Sequence, residues 1–528
     1  MTAARQPQWP RLAAALLALP LLLPLAFLAT GFGDGRPDLW AHVSQHLLPR
    51  ATGNTLVLAL LVGVFTLIPG IGFAWAGARF EYPGRRVLDW ALVLPLAIPG
   101  YVVAFVYVGV FDYSSLLQTS WRQLAPGLPA LPTPRGLVGA ALLLSLVLYP
   151  YVYLLSRAAF LRQGSAALDA ARSLGRGPVE GFFRVVLPMT RPAWVAGVTL
   201  AVLETLADFG AVSILGVETL TTTIYRVWFD LQSLPNAAQL ACGLLGLVAL
   251  ALLVERLARG KAQYAERAIK PLPRRALRGW HGWLVTVLAG VTVTMGFVVP
   301  MLRLGTWAWS ARDELPRVSE AAWNTVALGG MATALVLLLA LVLVMIARRM
   351  PGDRAVFAAS FVGNLGYAVP GTVLAVGVML MLVWMEGGLA QLGLGRVALS
   401  SSLVAVLLAL SARFLRVGHG AVETAFSALR PSVIETARTL AVPAWMRFTR
   451  ITLPLLRPGL VAGALLVLVE VMKELPATLM LRPFGWDTLA VRVYAYTSEG
   501  LWAQAAWPAL LLSAVGLLPV WWLMRQQR

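Results

Sequence analysis

Twelve apolar runs, each on the order of 20 residues and nearly free of charge, constrain this chain more than any other feature. They fall near 12–30, 54–76, 88–110, 136–156, 194–214 and 237–256, and then near 282–302, 323–346, 357–383, 399–417, 459–481 and 505–524. A run of that length crosses a bilayer only as an α-helix, because every backbone N–H and C=O must be satisfied within the segment. A transmembrane β-barrel would alternate apolar and polar residues instead. Of 528 residues, 59% are hydrophobic and 13% charged, more apolar surface than a soluble core could cover. The sequence therefore predicts an all-α polytopic membrane protein of about 12 transmembrane helices. The first run exceeds a signal-peptide h-region and carries Pro20 and Pro24, so it is read as a retained helix.

The net charge of +19 would suggest nucleic acid on a soluble protein. Here it follows the membrane. With the N-terminus inside, the cytoplasmic segments hold 31 of the 43 basic residues and only 9 of the 24 acidic ones. That asymmetry satisfies the positive-inside rule and places both termini in the cytoplasm. No nucleic-acid partner is needed. The richest loop, 255–280, reads as a basic linker resting on anionic headgroups. Cys242 has no partner for a disulfide. His42 and His46 have i, i+4 spacing but lie in a polar loop and read as surface histidines, so no metal site is assigned.

The chain repeats. Segment 169–192 (DAARSLGRGPVEGFFRVVLPMTRP) and segment 435–458 (ETARTLAVPAWMRFTRITLPLLRP) share 9 of 24 positions at a gapless shift of 266. The shift continues through Glu204/Glu470, Asp208/Glu474 and Arg226-Val227/Arg492-Val493. Upstream it drifts to pair Asn54-Thr55 with Asn324-Thr325 and Pro99-Gly100 with Pro370-Gly371. Residues 1–256 and 282–528 are thus two six-helix repeats joined by a linker at 257–281. An even helix number gives both the same orientation, a parallel repeat.

Both repeated segments lie in cytoplasmic loops. Asp169 and Glu435 are read as carboxylates at a helix start, where the dipole favours them. Small residues follow, Ala170 and Ala171 in one copy, Thr436 and Ala437 in the other. After Leu174, Gly175 can make a sharp turn; Leu440 is followed by Ala441 instead. Leu187-Pro188 and Leu453-Pro454 then end the segment. This pattern resembles the EAA loop of ABC-importer permeases. The resemblance implies a type I importer permease fold and makes these fourteen residues the contacts to two copies of a cytoplasmic ABC ATPase. Asp169, Thr436 and Ala441 depart from the usual pattern, and the second turn is expected to be built differently. No G-x-x-x-x-G-K-[ST] occurs, so ATP and Mg belong to the partner and this chain is not an enzyme.

Glu204/Asp208 and Glu470/Glu474 read as i, i+4 pairs on single helix faces within the membrane. Ionisable groups there line a pathway or meet a partner. Two readings stay open. Glu204, Asp208, Glu470, Lys473 and Glu474 line the translocation path, or Lys473 and Arg482 pair with the acids structurally. The stretches "ETLADFG…TTTIYRVWF" and "KELPATLMLRPFGWDTLAVRVY" resemble the fused permeases of ferric-iron ABC importers, inner-membrane components of binding-protein-dependent transport. That resemblance implies Fe(III) as cargo, a periplasmic iron-binding protein as donor, and the bacterial inner membrane as location. A thiamine or phosphonate importer on the same frame, or a secondary transporter, remains the alternative.

Overall fold

A computed structural model describes residues 9–163, 168–169, 173, 175–259, 274–393 and 398–526. The chain is helical nearly throughout. In order come α1 (Pro10–Asp34), α2 (Pro37–Arg79), α3 (Arg85–Ala97), α4 (Gly100–Val110), α5 (Leu137–Gln163), α6 (Arg191–Ala207) and α7 (Gly210–Ile214). They are followed by α8 (Leu234–Arg259), α9 (Trp280–Ser310), α10 (Val318–Arg349), α11 (Arg354–Leu365), α12 (Gly371–Gln391) and α13 (Leu403–Ser427). The last are α14 (Pro431–Thr439), α15 (Ala444–Lys473), α16 (Pro476–Leu481) and α17 (Trp502–Trp521). Among the described residues ten helices are long and apolar enough to cross a membrane, and up to twelve if two bent pairs each count as one span.

Proline chemistry accounts for the breaks. The run expected near 88–110 is not one helix: α3 and α4 meet at 90°. Pro99 forces the residue before it out of helical backbone, and Ile98 has ψ 127. Val369 before Pro370 has ψ 126, so the 357–383 run breaks in the same way between α11 and α12. Elsewhere the helix stretches instead. Five-residue π-helical turns at Val43–Leu47, Phe182–Val186, Thr294–Val298 and Phe448–Thr452 each end two residues before a proline. A proline ring crowds the carbonyl four residues back and offers it no N–H; a wider turn relieves both.

The helices form two compact units. One comprises Met1–Arg36, Val227–Cys242 and Arg317–Val491. In it α1 packs along α11 and α12. Ala14 joins Leu343, Ile346, Met350 and Val356 in an apolar cluster. Gly377 allows the approach, since a Cβ there would lie 2.4 Å from the Pro24 carbonyl oxygen. The other unit comprises Pro37–Arg226, Gly243–Pro316 and Arg492–Arg528. There α2 and α5 run side by side, and a cluster of Ala74, Tyr149, Tyr153 and Phe160 reaches Ala289, Val293 and Val520.

These units differ from the linear halves. The first helix of each half is built into the unit that holds the middle helices of the other. Sequence identity between copies records duplication, whereas burial follows whichever groove an apolar helix fits. The central linker joins in at its end: Arg275–Ala276 pairs in parallel with Phe80–Glu81. Residues 260–273 of that linker lie outside the described residues.

Candidate functional site

Each half carries an acidic residue at a break in an apolar helix. The expectation of acids on one continuous helix face is corrected. α6 ends at Ala207, and Asp208 is extended with ψ 131. α15 ends at Lys473, and Glu474 is extended with ψ 124. Both carboxylates bond forward to the backbone of the next short helix, competing with continuation of their own. Asp208 Oδ1 accepts from the Val212 N–H at 3.0 Å. Glu474 Oε1 accepts from the Ala477 N–H at 2.9 Å. Its Oε2 accepts from the Thr478 N–H at 2.9 Å and the Thr478 hydroxyl at 2.8 Å. Pro476, which suits a first helical position, helps start the second piece.

A second helix start meets each acid. A Cβ on Gly100, first residue of α4, would lie 3.7 Å from Asp208 Oδ2. One on Gly371, first residue of α12, would lie 2.6 Å from Glu474 Oε1 and 2.5 Å from Arg413 Nη1. The repeated Pro-Gly pairs therefore aim a positive helix end at a carboxylate in both units. Among the described residues only the second copy adds a cation: Arg413 Nη1 lies 3.6 Å from Glu474 Oε1, with both side chains largely buried. At the 266 shift, Val147 stands where Arg413 stands. Sequence reasoning overlooked Arg413, although an arginine inside an apolar run is itself a signal.

The repeated Asn-Thr pairs have a positioning job. Asn54 donates to the Glu218 carbonyl at 2.9 Å and Asn324 to the Asp487 carbonyl at 3.2 Å. The Thr55 hydroxyl accepts from the Leu220 N–H at 3.0 Å and the Thr325 hydroxyl from the Leu489 N–H at 2.8 Å. In each unit this pins the loop after the break. Glu204, Glu470 and Lys473 are half-buried on α6 and α15. Among the described residues no group of three or more His, Cys, Asp or Glu side chains could hold a metal ion.

The second repeated segment departs from expectation at its start. α14 begins at Pro431, so Glu435 sits in its second turn, exposed, rather than at the helix start; proline pre-sets the first turn instead. Thr436 is exposed, whereas Ala437 is buried. Ala441 adopts φ +52, beside φ +75 at Gly175. The Val442 N–H bonds the Ala437 carbonyl and the Ala441 N–H bonds the Arg438 carbonyl, a Schellman termination. The second turn thus uses the left-handed geometry that Gly175 adopts in the first copy, not a different one, because two backbone bonds hold an alanine there. In the first copy Asp169 and Gly175 are described, while Ala170, Ala171 and Leu174 lie outside the described residues.

Leu187-Pro188 and Leu453-Pro454 each follow a π turn directly. Phe182 anchors its segment against Trp75, ring centroids 4.8 Å apart. Val179 and Trp445, equivalent at the 266 shift, leave 70% and 76% of their surface exposed. Both positions are thus apolar and exposed, and the repeat made that pairing legible in the sequence.

Residues 68–262 match the family described as binding-protein-dependent transport system inner membrane component. The chain is similar to the Fe(3+)-transport system permease protein FbpB 2 of Haemophilus influenzae, 26% identical over 541 positions covering 99% of each chain. It is 28% identical to the sulfate transport system permease protein CysT of Salmonella typhimurium, over 37% of this chain and 69% of that one. It is 30% identical to the molybdenum transport system permease protein ModB of Escherichia coli, over 30% of this chain and 67% of that one.

Proposed function

The chain belongs to the inner-membrane components of binding-protein-dependent transport systems, and from that premise we propose that it is the permease of an ATP-driven importer for ferric iron. The observation that carries the cargo is similarity along the whole chain to an Fe(3+) permease, whereas the sulfate and molybdenum relatives align over about a third of it. The drive is inferred from the duplicated segments. Two ATPase subunits dock at Asp169–Pro188 and Glu435–Pro454, with Val179 and Trp445 as exposed apolar contacts. Both termini face the cytoplasm, and a periplasmic binding protein delivers iron from the other side.

Nucleotide-driven closure of the ATPase pair rocks the helices attached to the coupling segments. α15 leads from one such segment straight to the break at Glu474, and α6 from the other to the break at Asp208. Motion at the coupling end is thereby transmitted to carboxylates within the membrane. Asp208 and Glu204 supply negative charge for a trivalent cargo, while Glu474 is neutralised by Arg413 and acts as a pivot.

The test is uptake of radioactive ferric iron in a strain lacking its own iron importers. The strain expresses this chain with its ATPase and binding protein, and competitors are thiamine, sulfate and molybdate. ATP-dependent uptake insensitive to all three is expected, and it should vanish when Asp169, Gly175 and Glu435 are disrupted together. Uptake that survives that triple change, or iron-independent competition by an oxyanion, overturns the proposal.

A further inference from the structure

A cleft of about 340 Å³ opens in the unit holding α10, α11 and α13, at the end of the spans from which α14 departs. Its size falls in the range of small-molecule sites, roughly 300–1,000 Å³. At the corresponding end of the first half the helices are tied by ions. Arg157 lies 3.2 Å and Arg85 2.7 Å from Asp89 Oδ2, and the Tyr153 hydroxyl donates to the Asp89 carbonyl. At the 266 shift Arg157 becomes Glu423 and Tyr153 becomes His419. The same bridge cannot form, and the cleft lies between those helices.

The lining is amphipathic. Arg348 and Arg416 supply two cations, with Arg348 held by Ser427 at 3.2 Å and stacked on Phe426. Arg416 is exposed and has no hydrogen-bond or ion-pair partner among the described residues. Glu423 is exposed, its carboxylate 3.7 Å from His419. Asp353 also lines the cleft but is neutralised by Arg11 at 2.8 Å. On the wall, Ser360 Oγ and Asn364 Oδ1 are shielded from solvent yet have no hydrogen-bond partner among the described residues. The lip is aromatic: Phe357 and Phe361 are 72% and 58% exposed, with near-parallel rings 6.5 Å apart.

We propose that this cleft holds the head group of an amine-bearing zwitterionic phospholipid, of phosphatidylethanolamine chemistry. Its phosphodiester meets Arg416 and Arg348. Its ammonium donates to Glu423, which an anionic glycerol head group would leave unpaired and a quaternary choline could not hydrogen-bond. The glycerol and ester region lies along the wall beside Ser360, and the acyl chains lie along Phe357 and Phe361. Charges of both signs beside an exposed apolar lip are together the complement of that molecule. A free phosphate would use only the arginines.

The test uses the full chain co-purified with its ATPase subunits, delipidated in detergent and examined by native mass spectrometry. Phosphatidylethanolamine, phosphatidylcholine and phosphatidylglycerol are added in turn, with inorganic phosphate as competitor. One additional phosphatidylethanolamine should be retained, about tenfold over the choline lipid, the worth of one charge-assisted hydrogen bond. Glu423→Gln should abolish that preference without lowering choline-lipid retention. Arg416→Ala should lower both, and Ser360→Leu should block the cleft while leaving its charges in place. Equal retention of all three lipids, preference for the anionic one, an unchanged preference in Glu423→Gln, or displacement by millimolar phosphate would each overturn the assignment.

Discussion

Arg413 and Glu474 form an ion pair at the helix break of the second repeat, 3.6 Å from guanidinium to carboxylate and almost wholly shielded. The carboxylate is also fixed by the Ala477 and Thr478 N–H groups. Taking one member from a buried pair strands the other charge, at about 3–5 kcal/mol. Arg413→Met should therefore lower the melting temperature of the detergent-solubilised protein sharply. Glu474→Gln, which strands Arg413 and turns an amide NH2 toward a backbone N–H, should cost at least as much. The double variant should cost less than the sum of the two, and strict additivity would show that the pair is not coupled.

Asp208 holds the equivalent position without an arginine, so its cap and its charge can be separated. Asp208→Asn keeps an oxygen for the Val212 N–H; Asp208→Ala removes it, at about 1 kcal/mol for a lost cap. Iron uptake per inserted molecule should fall in both variants if negative charge serves the cargo. Normal uptake in Asp208→Asn with a loss only in Asp208→Ala would reduce Asp208 to a cap.

Ala441 holds a left-handed backbone that costs a non-glycine residue roughly 1–2 kcal/mol. Glycine would return part of that through its greater freedom when unfolded. Ala441→Gly should strengthen α14 by up to about 1 kcal/mol, read as slower hydrogen exchange across 431–447. Gly175→Ala should show the opposite sign in the first copy, where the space around Gly175 is open and only backbone strain acts.

Trp445 projects from the second repeated segment, the proposed docking point of an ATPase subunit, with 76% of its surface exposed. Aromatic anchors of that kind carry about 2 kcal/mol or more of an interface. Trp445→Ala should weaken retention of the ATPase subunits about tenfold or more on purification, with the melting of the permease itself unchanged.

Asp353 caps α11, accepting from the Ala355 and Val356 N–H groups, and meets Arg11 of α1. The Val356 hydrogen bond foremost, then Arg11, holds its carboxyl below the usual carboxylate range. A depressed folded value means that the stabilisation is complete above the unfolded value of about 3.9 and is lost as pH falls through the lower folded one. Protection factors at 353–360 should stay level from neutral pH down to about 5 and drop only below about 4. Asp353→Asn should flatten that acid response.

The sequence by itself determined the membrane class, the uneven distribution of basic residues among the loops, the duplication and the position of both repeated segments. Each is a property of local composition or of one stretch compared with another, so no distant contact has to be known. It also contained Asp208 and Glu474, but their roles depend on where the helix stops. A proline-led restart at Pro476 and a carboxylate bonding forward to Val212 or Ala477 decide that against the 3.6-residue period. Only the tertiary structure brought Arg413 to Glu474 and Gly371, grouped α1 with α11 and α12, and revealed Ala441 in a glycine's backbone position. Those outcomes rest on which apolar grooves admit which helix and on hydrogen bonds between residues far apart in the chain. A linear pattern does not encode such energies.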